Sequence, residues 1–150
     1  MLLKLLTQYK TLFDGTLGRW NTAPVNIELQ RNSKPVNEKW YPVPRIKKPT
    51  FMNELMRLVK IGVLERVQES EWGMPVFIIP KKEGTVCFLT NYRKVNGQIV
   101  CKPFPIPRIV DTLQQLEGFT FATALDLNIS YYTIPLAESS KHVTTIVTEF

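Results

Sequence analysis

At 150 residues with 44% hydrophobic side chains, the chain has the length and apolar content of about one folded domain, which excludes wholesale disorder. Its 19 Lys+Arg and 13 Asp+Glu give a formal charge of +6, unevenly placed: residues 1–110 carry 18 basic and 8 acidic side chains, residues 111–150 one and five. Two cysteines and one histidine cannot build a disulfide scaffold and make a poor zinc site, and a reducing, intracellular compartment is expected. No run of about 18 apolar residues occurs, so no membrane span is expected. The opening Met1-Leu2-Leu3-Lys4-Leu5-Leu6 looks like a short signal sequence, but Lys4, Thr7 and Gln8 break it and no small-residue cleavage site follows.

Apolar residues at 2, 3, 5, 6, 9, 12 and 13 predict a short helix ended by Asp14-Gly15. Residues 24–30 alternate apolar and polar as a half-buried strand does. Residues 33–49 interleave Pro35, Pro42, Pro44 and Pro49 with Lys34, Lys39, Arg45, Lys47 and Lys48 around Trp40 and Tyr41, which predicts an extended basic arm. Thr50 is expected to cap a helix whose apolar face is Phe51, Met52, Leu55, Met56, Leu58 and Val59, stopped by Gly62. Strands are predicted at 75–80 and 85–90, joined as a hairpin by Lys81-Lys82-Glu83-Gly84.

The alternating prolines of Lys102-Pro103-Phe104-Pro105-Ile106-Pro107 enforce polyproline II geometry, and Pro107 then starts a helix through Leu113 and Leu116, closed by Gly118. A rigid connector is the simpler reading of the proline run; a peptide for an aromatic groove is the other. Strands are expected at 120–127, 131–136 and 143–150. Helices and strands mix without regular alternation, so the fold class is α+β.

Three groups of residues carry chemical interest. Asp126 closes an apolar run, Phe119-Thr-Phe-Ala-Thr-Ala-Leu-Asp126-Leu127, where a carboxylate needs a cation, donors or water. A hard Mg²⁺ ion would suit it, since Mg²⁺ takes few protein carboxylates and fills its shell with phosphates and water. The alternative is that Asp126 caps a following helical turn. Lys81 and Lys82, on a glycine-containing hairpin tip, could close over a triphosphate or be an ordinary solvated turn. Asn91-Tyr92-Arg93-Lys94 and the 34–48 arm pair cations with Trp40, Tyr41 and Tyr92, which suits phosphates and stacked bases, though basic arms also serve solubility.

Taken in order, Ser70-Glu71-Trp72-Gly73-Met74-Pro75, Lys81-Lys82-Glu83-Gly84, Asn91-Tyr92-Arg93-Lys94-Val95-Asn96, Pro103-Phe104-Pro105-Ile106-Pro107 and Leu125-Asp126-Leu127 resemble the opening of a retroelement reverse transcriptase, of the gypsy class of long-terminal-repeat retrotransposons. The resemblance runs from about Tyr9 onward, and Phe13-Asp14-Gly15-Thr16-Leu17-Gly18 resembles the segment leading into the polymerase. It implies a partial right-hand polymerase, fingers plus first palm strands with an incomplete sheet. Residues 1–48 would be a connecting segment and basic arm, 49–110 a fingers-like region, and 111–150 the start of a palm. Asp126 matches the first catalytic, metal-binding aspartate. Tyr131 matches the aromatic residue under the incoming sugar, Lys81 and Lys82 the finger residues near the deoxynucleotide triphosphate, and Arg93 an arginine on the template strand. The implied chemistry is two-metal phosphoryl transfer with Mg²⁺ on an RNA or DNA template–primer, with the rest of a polyprotein as a further partner.

Departures from the pattern matter as much. Cys87 stands where a finger strand usually has a triphosphate-gripping arginine, Asn91 replaces an aspartate, and Ser130 a glycine. Each lies one transition from the usual codon, which reads as decay. Pro135 inside a strand suggests an edge or bulge. The chain stops before the later motif with paired aspartates, and one carboxylate cannot hold two metals. The expectation is a reverse-transcriptase fragment inactive alone; the alternative is a non-catalytic nucleic-acid-binding remnant of a decayed element.

Overall fold

The computed structural model describes every residue except Met1, Glu83, Glu117 and Asn128. It is a mixed α/β structure around one three-stranded sheet in the order β2-β1-β3, formed by β1 (Met74–Pro80), β2 (Val86–Thr90) and β3 (Ile146–Val147). The hairpin forms as its sequence predicts: β1 and β2 pair antiparallel from Val76↔Thr90 to Pro80↔Val86. Lys81 N–H donates to the Thr85 carbonyl at 2.8 Å, and Gly84 turns the chain at φ +79°, where an L side chain would be strained. β3 joins β1 in parallel through Met74↔Ile146 and Pro75↔Val147.

Helix α1 (Leu2–Gln8) gives way at Tyr9 to a 3-10 turn (Lys10–Phe13), so the single predicted helix is two pieces, and neither buries a residue. Asp14 stops it, accepting from Thr16 N–H at 2.8 Å and from the Thr16 hydroxyl at 2.6 Å; these bonds hold the Asp14 carboxyl below its usual range.

The predicted strand at 24–30 is not continuous. Residues 20–38 form an extended strap whose backbone bonds go to several neighbours in turn. Trp20 N–H donates to Thr133, Val25 N–H to Pro135, Gln30 N–H to Gln98, and Glu38 N–H to Gly73, all within 2.8–2.9 Å. No single neighbouring strand runs beside it far enough to hold a ladder, so only isolated bridges form at Val25, Leu29 and Asn37. Pro135 thus lies just before the isolated Val25–Leu136 bridge, its carbonyl accepting from Val25 N–H, rather than inside a strand.

Helix α2 (Lys48–Lys60) starts two residues before the predicted Thr50 cap. Pro49 occupies its first turn, where a missing N–H costs nothing, and no side chain caps it. The stop at Gly62 holds, with φ +77°. Phe51 and Leu58 are buried, and the Phe51 ring stacks on Phe88 of β2 at 5.3 Å and meets Phe150 at 5.6 Å. Lys48 pairs with the nearly buried Glu149 at 2.8 Å, so the end of the described chain is tied to the first turn of α2. One core cluster joins Val43, Phe51 and Val76, flanked by Leu55, Ile78, Phe88 and Ile146. The other joins Trp72, Met74, Val95 and Val143 under Ile27, Leu29, Val36, Tyr92 and Ile99.

Beyond the hairpin lie α3 (Arg93–Asn96), α4 (Ile109–Gln114) and α5 (Glu138–Lys141). The proline run is exposed and carries no helix or strand; α4 starts at Ile109 rather than Pro107 and ends at Gln114, short of the expected Leu116, and Gly118 lies in a turn beyond it with φ +83°. The three strands expected near the acidic end are largely absent. Residues 120–127 form no strand: among the described residues no partner strand lies beside them, and Phe121 and Leu125 are 92% and 83% exposed. Ser130–Thr133 is a 3-10 turn, because Tyr132 N–H donates to the Ile129 carbonyl at 3.0 Å and the Thr133 hydroxyl to Ser130 at 2.6 Å. Only Ile146–Val147 of residues 143–150 is strand. Ahead of it the Thr144 and Thr145 hydroxyls bond back to the carbonyls of Lys141 and His142, favouring a 3-10 turn (His142–Thr144).

The accessible surface is 13047 Å², against roughly 7,800 Å² for a compact monomer of this mass. Large apolar side chains contribute to that surface: Phe104, Ile106, Ile109, Phe121 and Leu125 are each more than three-quarters exposed.

Candidate nucleic-acid and nucleotide interface

Lys81 and Lys82 are exposed at the hairpin tip, with no ion pair to either among the described residues. Two ammonium groups held on a tight turn are able to meet a polyphosphate. Glu83, between them and Gly84, lies outside the described residues.

Asp126 is exposed near the end of the irregular 119–127 segment. The turn that follows, Ser130–Thr133, has no side-chain cap, so the capping role considered for Asp126 does not occur there. Among the described residues no group of three His, Cys, Asp or Glu side chains gathers around a common point. An exposed carboxylate is the right donor for Mg²⁺, and one such ligand suits an ion that arrives with triphosphate oxygens and water. It does not by itself make a two-metal centre.

Tyr131 is 87% exposed, its ring projecting from the 3-10 turn. Its neighbour Tyr132 is less exposed, at 39%. Burial first, then the neighbouring Cys87 and Glu54, push the Tyr132 hydroxyl above its usual range, while Arg57 draws it down. That places the turn carrying Tyr131 close to β2 at Cys87 and to the α2 ion pair, in which Arg57 forks onto Glu54 through two bonds of 2.8 Å. A cavity of about 390 Å³ opens beside it, lined by Gly15, Thr16, Leu17, Arg57, Ile61 and Ile129. The sequence reading missed Tyr132, Glu54 and Arg57. The i,i+3 spacing of Glu54 and Arg57 was visible, but nothing local signalled that a tyrosine some 75 residues later would reach them.

Ile129 holds the turn in a left-handed conformation, φ 47° and ψ 38°, which a β-branched residue adopts at a cost of about 1–3 kcal/mol. Ile129→Asn should therefore raise the unfolding free energy by about 1 kcal/mol in urea titration. A loss of stability would mean that the contacts of Ile129 beside Arg57 and Ile61 outweigh the relieved strain.

Arg93 opens α3 and is exposed, its Nε donating to Asn91 Oδ1 at 3.1 Å. Asn91 Nδ2 in turn donates to the Tyr41 hydroxyl at 3.0 Å, linking the basic arm to Arg93. Trp40 and Tyr41 are partly exposed, with Lys39 Nζ 5.9 Å from the Trp40 ring centre and Tyr41 edge-on to Phe77. Tyr92, grouped by sequence with these stacking residues, is a core residue instead. It packs on the Trp72–Met74 cluster and donates its hydroxyl to the Thr144 carbonyl at 3.0 Å, and burial raises its titration point. Arg93, Asn91 and Tyr41 thus form one group, while Lys81 and Lys82 stand at the hairpin tip, and Asp126 and Tyr131 belong to a third segment.

With this sheet, hairpin and arm, the chain is homologous to retroelement polyproteins and to a retroviral protease–reverse transcriptase. It is 28% identical over 116 residues to the Transposon Tf2-3 polyprotein of Schizosaccharomyces pombe, a match covering 77% of this chain and 9% of the polyprotein; the Tf2-4 polyprotein matches equally. Crystal structures of the prototype foamy virus protease–reverse transcriptase superpose on 99% of the chain. The CSH mutant does so with TM-score 0.85 and 26% identity, covering 20% of the viral chain. A foamy viral protease–reverse transcriptase in complex with an RNA/DNA hybrid matches with TM-score 0.78 at 23% identity. The chain therefore spans a small part of the length of these relatives. No protein-family model matches it, and among the described residues no helix is long and apolar enough to cross a membrane.

Proposed function

We propose that this chain is the fingers and the beginning of the palm of a gypsy-class retrotransposon reverse transcriptase, a part that grips template–primer and deoxynucleotide triphosphate. The observation that carries this is the superposition of 99% of the chain on a protease–reverse transcriptase at TM-score 0.85. Related structures of that enzyme hold double-stranded DNA and an RNA/DNA hybrid. Residues 1–48 form the connecting segment and arm, 49–110 the fingers, and 111–150 the start of the palm.

In this reading the exposed Lys81 and Lys82 ammonium groups take the triphosphate oxygens, and the hairpin holds them together at its tip. Arg93 takes a template phosphate. Tyr131, projecting from its turn, lies under the sugar of the incoming nucleotide. Asp126 supplies one carboxylate to Mg²⁺, whose chemistry is to neutralise phosphate charge and activate the primer oxygen. Residues of this chain bind and orient; a lone carboxylate does not complete phosphoryl transfer, so the chain does not extend a primer by itself. Cys87 favours a second reading, a non-catalytic nucleic-acid-binding remnant, because a thiol replaces a forked cationic donor in β2.

Anisotropy of a labelled RNA/DNA hybrid and of a fluorescent deoxynucleotide triphosphate in Mg²⁺ tests both. The chain should bind the hybrid with an affinity that falls steeply with salt, and the double variant Lys81→Ala/Lys82→Ala should weaken triphosphate binding about tenfold. Hybrid binding without any triphosphate binding selects the remnant. No binding of either at low salt overturns both readings. A primer-extension product that Asp126→Asn abolishes would overturn the claim that the chain is inactive alone.

A further inference from the structure

Asn91 stands where the family resemblance expects an aspartate, and by sequence alone it reads as decay. Its contacts say otherwise. An asparagine side chain has one acceptor oxygen and two donor hydrogens, whereas an arginine has donors only. Because Arg93 Nε faces the side chain at 3.1 Å, the carbonyl Oδ1 must be the atom beside it, which leaves Nδ2 facing Tyr41 at 3.0 Å. The Tyr41 hydroxyl therefore accepts, and its own proton is free to point away from Asn91. Backbone bonds fix the centre of this chain of contacts: Asn91 N–H donates to Pro75 of β1 at 3.0 Å, and Tyr41 rests edge-on against Phe77 of the same strand. Among the described residues the ion pair of this helix is Lys94 with Glu38 at 2.7 Å, and Arg93 has none.

We propose that Asn91 is a positioning residue that orients the Arg93 guanidinium without neutralising it and ties it through Tyr41 to the basic arm, so that arm and finger present a whole positive charge and an outward hydroxyl donor to one nucleic-acid phosphate. This rests on the template-gripping reading above. An aspartate at 91 would hold Arg93 equally well in space but would cancel its charge and draw the Tyr41 proton inward. The difference between amide and carboxylate is thus electrostatic rather than geometric, and it shows in the salt dependence of binding.

The test is a salt titration of RNA/DNA-hybrid binding by the full chain, comparing the wild type with Asn91→Asp, Asn21→Asp and Tyr41→Phe. Asn21 is exposed in the strap beside Thr133, away from α3, so Asn21→Asp makes the same change in net charge without placing a carboxylate beside Arg93. Asn91→Asp should weaken binding about fivefold at low salt and reduce the slope of log K against log salt by about 0.7–0.9, the loss of one phosphate contact. Asn21→Asp should move the slope by less than half as much. Tyr41→Phe should cost about twofold at unchanged slope, since it removes a neutral donor. In NMR spectra of the free protein the Arg93 Nε–H should be protected from exchange in wild type and Asn91→Asp and unprotected in Asn91→Ala, which checks the positioning independently of any ligand. If Asn91→Asp binds as the wild type does, or if Asn21→Asp matches it, the proposal fails while the template-gripping reading stands. If the wild type itself does not bind the hybrid at low salt, that reading falls and the proposal with it.

Discussion

Phe51→Ala is expected to lower the unfolding free energy by about 3–5 kcal/mol, which for a chain of marginal stability means loss of the native sheet. Phe51 is 1% exposed on the inner face of α2. Its ring touches Phe88 of β2 at 5.3 Å and Phe150 at 5.6 Å, and the same cluster includes Val76 of β1 and Val43 of the arm. Truncation removes the contact that joins helix, hairpin, arm and chain end, and leaves a ring-sized void that rigid β-branched neighbours cannot fill. Thermal or urea unfolding followed by far-UV circular dichroism measures the cost. Phe51→Leu, which keeps most of the volume, should recover more than half of it. A cost below 1 kcal/mol for Phe51→Ala would mean that α2 does not bear on the sheet as described.

That residue was legible in the sequence, since the apolar spacing of the α2 segment names Phe51 and Leu58 among its inward-facing positions, and both are buried. The hairpin was legible for a similar reason: β-branched and aromatic runs on either side of a charged, glycine-bearing tip leave few alternatives. In each case the signal and the structure lie within about 15 residues of one another. The failures share the opposite property. Residues 120–127 have strand composition, but a strand needs a partner, and no described part of this chain pairs with them. The strap at 20–38 was read as one strand because its alternation is real, yet its bonds are distributed among segments around residues 73, 98–100 and 133–140.

The candidate site divides along the same line. Residue types at Lys81, Lys82, Arg93, Asp126 and Tyr131 identify what each side chain is able to bind, and the structure leaves all five exposed. What sequence could not show is which of them share a neighbourhood. Tyr41 meets Asn91 across 50 residues, and Tyr132 lies within the electrostatic influence of Cys87 and the Glu54–Arg57 pair, distant in sequence. Tyr92 was misplaced because an aromatic residue beside basic ones looks the same whether its ring stacks on a base or, as here, on Trp72 and Met74.

Gly73→Ala carries the second large expectation, a loss of about 1–3 kcal/mol, although only one methyl is added. A Cβ at this position would lie 2.7 Å from Asn37 Oδ1 and 2.8 Å from a Val147 methyl, both far inside van der Waals contact. Asn37 can swing its exposed side chain aside, but neither the glycine nor Val147 can withdraw freely. Gly73 N–H donates to the Val36 carbonyl and its own carbonyl accepts from Glu38 N–H, both at 2.8 Å, so the backbone is clamped to the arm on one side. Val147 pairs with Pro75 in the parallel ladder on the other, and as a β-branched residue it has little rotamer freedom. The glycine is therefore required by close approach of three chain segments rather than by an unusual φ. The strain should fall on the arm and on β3 together, so Gly73→Ala should increase amide exchange at Glu38 and Val147 before it affects the β1–β2 hairpin. Asn37→Gly in the Gly73→Ala background should restore part of the lost stability by removing one of the two clashes. Full stability in Gly73→Ala alone would show that the arm does not close on β1 as tightly as these distances require.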